Sequence, residues 1–447
     1  MQQNQQDLTI GSIGRKILLF SIPLMISNVL QVLFHMADIA VVGRFAGSAA
    51  LGSVGSTATL VAMFTGFFIG MAAGTNVLVA LHFGAKNKKA LTETIHTGAI
   101  VSLLIGFIIM AVGIGCSRGI LQLLQTRPEL IDGAVLYISI YFLGMPAMAI
   151  YNFGNAVFSA VGDTKRPLCY LSVSGVINIV LNLFFVIVCD MSVAGVALAS
   201  AISQYISALL ILMALFRSKE VYALRLSCLH LNKDRAKDLL RMGLPGGLQN
   251  AIFQIANLFI QVGVNSFSAT MVAGNSAAAN ADGLIYDVMA AFYTACGSFM
   301  GQNYGAGKKE RILKSYFVSL AYSFAVGAVM GLTLVCFGRQ FLGLFSGDVS
   351  VIEAGMYRLT IMGFSYGVSA FMDCTIAASR ALGKSVVPTA VVIMGSCVFR
   401  IIWVYTVFAQ FQTISSLYLV YICSWTITAI AEILYFSHVY RSQVKGI

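Results

Sequence analysis

The sequence is poor in charged residues and lacks the motifs of several large enzyme classes. Only 10% of its 447 residues are charged, whereas soluble domains carry about 25%. It contains no Walker loop, no G-x-S-x-G and no H-E-x-x-H, and its nine cysteines form neither a C-x-x-C pair nor a zinc-ligand spacing. These absences exclude a soluble domain, an ATP-driven pump and the common hydrolases. We therefore predict that the protein is not an enzyme and uses no cofactor.

What the sequence has instead is long apolar runs. Hydrophobic residues make up 58% of it, and the mean hydropathy is +0.86. Because a membrane span needs about 20 mostly apolar residues, these runs predict an all-α integral membrane protein with twelve transmembrane helices. The predicted spans are roughly 16–43, 50–81, 92–115, 133–160, 168–188, 193–216, 238–267, 275–300, 312–337, 354–379, 386–409 and 414–440.

Basic residues divide unequally between the two sides of the predicted membrane. With successive loops assigned to opposite sides, 22 of the 28 lysines and arginines fall on one side and five on the other, while Arg400 lies within a span. Basic residues are enriched in cytoplasmic loops, so we expect both termini in the cytoplasm of a bacterial cell and the chain in its inner membrane. The same bias accounts for the net charge of +11 without nucleic acid as a partner.

The chain repeats itself at a lag of 221 or 222 residues. Each copy contains six predicted spans, an even number, so both copies enter the membrane with the same orientation. We therefore predict two six-helix lobes, residues 1–216 and 238–447, joined by a cytoplasmic linker at 217–237 and related by a pseudo-two-fold axis along the membrane normal. The matching segments are Ser21-Ile22-Pro23 and Gly243-Leu244-Pro245, Phe83-Gly84-Ala85-Lys86 and Tyr304-Gly305-Ala306-Gly307, Arg118 and Arg339, and Gly162-x4-Pro167 and Gly383-x4-Pro388.

A polar stripe on the first span includes an acid within the membrane. Its members, spaced by three or four residues, share one helix face: Asn28, Gln31, His35 and Asp38. Asp38 lies about 9 Å from the outer end of its helix, and Asn182 and Ser200, on the fifth and sixth spans, lie about 12 Å from theirs. Asn178 is one turn from Asn182, so we expect these groups at similar depth. A carboxylate, two amides and a hydroxyl can hold a proton or Na⁺, a hard cation that prefers oxygen ligands. The alternative is that each polar group only bonds a neighbouring helix.

The seventh span repeats the polar stripe without the acid, since Ile260 stands where the repeat would place Asp38. The sequence therefore favours ion coupling in the first lobe. The second stripe is a candidate lining of a substrate cavity, as are Asn28, Gln31 and His35, although interhelical hydrogen bonding explains it equally well. Its members are Asn250, Gln254, Asn257 and Gln261.

Other charged residues inside the second lobe suggest two further roles. Asp287 lies near mid-membrane and is a candidate for attracting a cationic substrate. Arg400 and Glu432 lie at comparable depth in the eleventh and twelfth spans. Because a buried charge needs a partner, we predict that they form a structural ion pair.

The first span resembles the opening helix of the multidrug and toxic compound extrusion (MATE) transporters, and most closely their DinF-like bacterial branch. Further segments over nearly the whole chain also resemble that family: Gly84-Ala85 followed by lysines, Gly162-Asp163-Thr164, Gly301-Gln302-Asn303-Tyr304-Gly305-Ala306, and Arg380-Ala381-Leu382-Gly383-Lys384-Ser385. The resemblance implies twelve helices in two lobes, a central cavity, and export of organic cations or amphipathic compounds in exchange for H⁺ or Na⁺.

The resemblance also implies roles for particular residues. Asp38 stands where the family's first-helix acid binds the coupling cation, and Pro23 stands where that helix bends. Asn178 and Ser200 match polar members of the same site, but Asn182 occupies a position that is often aspartate in the DinF-like branch. Asp38 is therefore the only acid expected inside the membrane in the first lobe, and either H⁺ or Na⁺ could bind there.

These observations lead us to expect a monomeric secondary antiporter that works by alternating access. One alternative is a flippase of lipid-linked precursors, which would favour a strongly basic cavity, whereas only Arg400 is clearly intramembrane. The other is a passive channel, which would conduct far faster than a carrier turns over.

Overall fold

The computed structural model describes residues 7–444, and their regular secondary structure is helical throughout. Lys445, one of the basic residues counted in the orientation prediction, lies outside the described residues, as do residues 1–6 and 446–447. The α-helices are α1 Ile13–Val41, α2 Gly47–Gly84, α3 Lys88–Leu123, α4 Pro128–Leu143, α5 Met145–Ala160, α6 Lys165–Leu183, α7 Ser192–Arg217, α8 Lys233–Asn265, α9 Ala269–Gly305, α10 Lys309–Gly343, α11 Val349–Ala381, α12 Val386–Val392, α13 Phe399–Trp403, α14 Ala409–Phe411 and α15 Ile414–Gln443.

Each predicted span coincides with helical structure, but four of the spans are composite. The first is α1 continued by a π-helical turn, Val42–Ala46. The fourth is α4 and α5, which meet at Gly144 with a bend of 47°. The fifth is α6 continued by a π-helical turn, Phe184–Val188. The eleventh is α12, α13 and α14, joined by the π-helical segments Ile393–Val398 and Val404–Phe408.

By length and composition alone, fewer than twelve helices could cross a membrane. Among the described residues there are eight such helices, or nine if the bent pair α4 and α5 counts as one span. The number is lower because α1 and α2 are counted as one continuous run and because α8 and α9 are not included. Polar stripes and glycines lower the hydropathy of α8 and α9, as expected of helices whose polar faces turn away from lipid.

A proline lies inside α1 and another inside α8, at positions related by the repeat. They are Pro23 and Pro245. The described residues divide by Cα proximity into two compact units shortly after each proline: residues 26–247 form one unit, and the residues before Ile26 and after Gly247 form the other. The compact units therefore differ from the predicted lobes at the first parts of α1 and α8. The predicted lobe boundaries came from the sequence repeat alone. The repeat does not show that the two ends of a long helix, such as α1 or α8, belong to different compact units.

In the unit of residues 26–247, α2 and the first part of α8 approach through glycines. A Cβ atom added to Gly70 would lie 2.3 Å from the carbonyl oxygen of Gly246. One added to Gly74 would lie 2.4 Å from the backbone nitrogen of Gly243. Small residues allow membrane helices to pack this closely. The contact is between backbones, so neither helix has a flexible side chain there that could yield.

This contact predicts that Gly74→Ala lowers the stability of the protein. The new methyl group would overlap the backbone of α8, and overpacking of this kind typically costs about 1–3 kcal/mol. Gly55→Ala on the same helix is the matched control, because no atom lies within 4 Å of a Cβ added there. Thermal unfolding in detergent should give a lower midpoint for Gly74→Ala only. Equal midpoints for the two variants would contradict the prediction.

Candidate functional site

Asp38 lies near the end of α1 and is held by two other helices of the same unit. Its carboxylate accepts a hydrogen bond from Asn182 Nδ2 on α6 and another, 3.3 Å long, from Ser200 Oγ on α7. The Asp38 side chain is 8% exposed. The structure thus brings together an acid, an amide and a hydroxyl that are far apart in the sequence.

The hydrogen bonds continue along α6 and α7. Asn182 Nδ2 also donates to Asn178 Oδ1 at 3.2 Å, and Asn178 Nδ2 donates to Ser203 Oγ at 3.4 Å. All four predicted residues of the cation site therefore belong to one buried network. Ser203 was not predicted. Its spacing of three residues from Ser200, which places it on the same face of α7, was the signal that could have identified it.

The close approach of α1 to α6 depends on a glycine. Gly175 lies one turn before Asn178, and a Cβ atom added to it would lie 1.9 Å from the ring of Phe34. Phe34 in turn lies one turn before Asp38 on α1. A larger residue at position 175 would overlap the Phe34 ring, so either that ring or α6 would have to move.

Both helices of this contact change geometry just after the site. The π-helical turn Val42–Ala46 follows α1 and Phe184–Val188 follows α6. Such turns are frequent at functional sites, because the extra residue re-aims the side chains around it.

The Asp38 network contains a buried oxygen atom that could bind a cation. Asn182 Oδ1 is buried and has no hydrogen-bond partner among the described residues. No lysine or arginine in residues 7–444 lies within ion-pair distance of Asp38. The described residues also contain no group of three or more His, Cys, Asp or Glu side chains that could hold a metal ion. What the site offers is one carboxylate that accepts from an amide nitrogen and a hydroxyl, with an unpartnered amide oxygen on the same Asn182 side chain. Carboxylate, amide and hydroxyl oxygens suit a proton or a hard monovalent cation.

The other members of the first polar stripe do not join this network. Gln31 and His35 are exposed, and Asn28 is half-buried. Only Asp38 of the four is buried. The stripe therefore separates into one residue in the buried site and three that remain candidates for contact with substrate.

The second stripe, on α8, is half-buried along its whole length. Asn257 Oδ1 accepts from Arg400 Nη1 at 3.1 Å, and Gln261 Oε1 accepts from Asn275 Nδ2 at 3.4 Å. Interhelical hydrogen bonding, one of the two readings of this stripe, thus applies to these two residues. Asn250, Gln254 and Asp287 are also half-buried, and their role towards substrate stays a prediction.

The predicted ion pair between Arg400 and Glu432 is absent. Arg400 instead donates to Asn257 and, at 3.2 Å, to Ser424 Oγ. Both oxygens of Glu432 are buried without a hydrogen-bond partner among the described residues. The prediction was wrong because comparable depth in a membrane does not determine the direction in which a side chain leaves its helix.

The intramembrane ion pair of this unit joins α9 and α11 instead. Arg358 donates to Asp282 Oδ2 from Nε at 2.8 Å and from Nη2 at 2.5 Å. Asn275 Oδ1 accepts from Arg358 Nη1 at 2.8 Å, and Tyr366 donates to the other oxygen of Asp282. Arg358 is one of the five basic residues that the orientation prediction placed on the outer side of the membrane. Its position nine residues into α11, opposite an acid inside the eighth span, was the available signal.

These features define a class of protein. Eight or nine apolar helices long enough to cross a membrane, counted over the described residues, together with two sequence repeats and buried charged and polar networks, are typical of multi-pass membrane transporters. The sequence model of the MatE family matches residues 23–184 and 245–406, once in each repeat. The chain belongs to the MatE family of multidrug-efflux transporters. This confirms the predicted family and shows that the protein is a transporter of small molecules rather than an enzyme.

Relatives and solved structures support the same assignment. Probable multidrug resistance protein YpnP of Bacillus subtilis (strain 168) is 30% identical over 382 residues, which are 84% of this chain and 85% of that protein. Probable multidrug resistance protein YoeA of the same organism is 26% identical over 389 residues, covering 85% and 84%. A crystal structure of MATE in complex with MaL6 matches with a TM-score of 0.91 at 22% identity, covering 98% of this chain and 99% of that one. The fold prediction of twelve helices in two lobes is confirmed.

Proposed function

We propose that this transporter is a secondary antiporter of the bacterial inner membrane. It exports organic cations and other amphipathic compounds in exchange for H⁺ or Na⁺. The observation that carries the proposal is the buried Asp38 carboxylate, which is held only by neutral groups and lies in a network with an unpartnered amide oxygen. A buried acid without a basic partner is a group whose charge a coupling cation can neutralise.

Coupling requires only that cation and substrate favour different states. When Asp38 is exposed to the outside, a cation binds and neutralises the carboxylate, which favours substrate release and return to the inward-facing state. On the inside the cation leaves and substrate binds. Each ligand shifts the equilibrium by its difference in affinity for the two states. Pro23 inside α1 removes one backbone hydrogen bond and gives that helix a place to bend between the states.

The choice of coupling ion depends on Asn182. An aspartate there would put two acids in direct contact, and like charges so close favour retention of a proton. With an amide at position 182, the site has one negative charge and several neutral oxygens. A single H⁺ or a single Na⁺ would neutralise that charge. The transport experiment below uses an H⁺ gradient and a Na⁺ gradient in turn, and its result identifies the coupling ion.

Transport by purified protein tests the proposal. In proteoliposomes, the wild type should accumulate a fluorescent organic cation against its gradient when an H⁺ or a Na⁺ gradient is imposed, and an ionophore for that ion should abolish the accumulation. Accumulation that needs neither gradient would contradict antiport. Ion currents far above carrier turnover would indicate a channel, and scrambling of a labelled lipid-linked precursor would indicate a flippase.

A further inference from the structure

The connection between α7 and α8 carries exposed apolar side chains. It runs from Arg217, where α7 ends, to Lys233, where α8 begins. Within it Leu226, Leu229 and Leu231 are 74%, 37% and 49% exposed. Because the exposure of several neighbouring leucines to water is unfavourable, such a cluster marks a surface that contacts another molecule or a membrane.

Hydrogen bonds to α3 hold the backbone on both sides of these leucines. The backbone N–H of Arg225 donates to His96 Nε2 at 2.9 Å. Thr97 Oγ1 accepts from the backbone N–H of Asn232 at 3.2 Å and donates to the carbonyl oxygen of His230 at 3.5 Å. The leucines therefore project from a segment that is fixed at both ends, so their exposure is a property of the fold.

The same part of the chain has a surplus of basic residues without ion-pair partners. Among the seven lysines and arginines of residues 217–241, Arg235 is paired with Glu93 at 3.2 Å and with Asp238 at 3.7 Å. The other six are exposed and form no ion pair in the described part of the chain: Arg217, Lys219, Arg225, Lys233, Lys237 and Arg241. Together with the three exposed leucines, these six residues form what we call the linker surface.

The linker surface begins where the chain leaves the membrane. α7 is long and apolar enough to cross a bilayer and ends at Arg217, and the orientation prediction places this end on the cytoplasmic side. Exposed apolar side chains lead from α7 into the connection, since Phe216 and Val221 are each 40% exposed. An apolar surface that continues from a membrane helix and is bordered by lysines and arginines fits the interface of a bilayer containing anionic lipids.

We propose that the linker surface binds anionic phospholipids of the cytoplasmic leaflet. The leucines enter the boundary between headgroups and acyl chains, and the six basic residues contact the phosphate groups. The proposal depends on the predicted orientation of the protein but on no particular coupling ion or cargo. It gives the transporter a lipid site on its cytoplasmic side, separate from the Asp38 network.

Hydrogen–deuterium exchange of the whole protein in lipid nanodiscs tests the proposal. One set of discs contains phosphatidylcholine alone, and the other contains phosphatidylcholine and phosphatidylglycerol. The backbone amides of residues 225–232 should exchange about fivefold more slowly with phosphatidylglycerol, the effect of roughly one basic residue at an anionic surface. Equal exchange in the two sets of discs would overturn the proposal.

Two matched triple variants show whether this protection comes from the linker surface. Neutralising three of its lysines should remove the difference between the discs, whereas neutralising three exposed lysines between α2 and α3 should preserve it. The first variant is Lys219→Gln, Lys233→Gln and Lys237→Gln, and the second is Lys86→Gln, Lys88→Gln and Lys89→Gln. Thermal unfolding checks that both variants are folded, as expected for exposed positions. Equal loss of protection in both variants would reduce the effect to overall charge and refute a specific surface.

The leucines and the lipid are tested separately. Leu226→Ser combined with Leu229→Ser should speed exchange in both sets of discs, because apolar contact with the bilayer does not require lipid charge; unchanged exchange would contradict insertion. Inorganic phosphate added to phosphatidylcholine discs should give no protection, and protection equal to that by phosphatidylglycerol would show anion binding without lipid. Because exchange is measured without transport, failure of uphill export in proteoliposomes would count against the proposed function alone.

Discussion

Replacing Asp38 by asparagine should reduce uphill export to the level of protein-free liposomes while leaving the protein folded. The amide has nearly the same shape as the carboxylate, so it can stay hydrogen-bonded to Ser200 on α7. It cannot, however, change charge when a cation arrives. Without that change the imposed gradient no longer biases the two states.

A rescue experiment makes this prediction sharper. Asn182 is the direct hydrogen-bond partner of Asp38, so the double variant Asp38→Asn with Asn182→Asp returns one carboxylate to the same network on a different helix. We expect it to recover part of the accumulation lost in Asp38→Asn. The measurements are dye accumulation under H⁺ and Na⁺ gradients, and thermal unfolding to confirm equal folding. Full activity of Asp38→Asn would remove Asp38 from the coupling mechanism.

The second large effect concerns stability. Asp282→Asn should destabilise the protein by about 3–5 kcal/mol, because removing one member of a buried ion pair leaves the other charge without a partner. Arg358 would be that residue, with a side chain only 8% exposed. The hydrogen bond from Tyr366 to Asp282 would be weakened as well.

Glu432→Gln is the matched comparison, since it is also a change from acid to amide within the membrane. Neither Glu432 oxygen has a hydrogen-bond partner in the described part of the chain, and its interaction with the charge of Arg380 is not a hydrogen-bonded ion pair, so this variant should lower the unfolding temperature by much less than Asp282→Asn does. Thermal unfolding of both variants in the same detergent decides the point. If Glu432→Gln proved as damaging as Asp282→Asn, the assignment of the ion pair to Asp282 and Arg358 would fail.

Much of the proposed coupling site was predictable from the sequence. Asp38, Asn178, Asn182 and Ser200 were selected because they are polar groups at one depth in otherwise apolar helices. Depth follows from counting residues along a helix, at 1.5 Å each. The twelve helices were predicted from the apolar runs and from the internal repeat. Like depth, both are patterns that can be read along a single chain.

The charged residues of the second repeat were less predictable. Depth alone suggested Arg400 and Glu432 as a pair, and the count of basic residues on the two sides of the membrane placed Arg358 outside it. The structure pairs Arg358 with Asp282 and leaves Arg400 among Asn257, Ser424 and two aromatic rings. Which helix a side chain faces depends on the rotation of that helix against its neighbours, and the sequence of one helix does not contain this information.

The sequence by itself determined that this protein spans a membrane, that it consists of two similar six-helix repeats, and that its first helix carries a lone acid. These properties follow from composition and from spacing along one chain. Only the tertiary structure decided which groups surround that acid, which arginine is neutralised, and to which compact unit the first parts of α1 and α8 belong. Such contacts join residues at least 76 positions apart, and the packing of whole helices selects them.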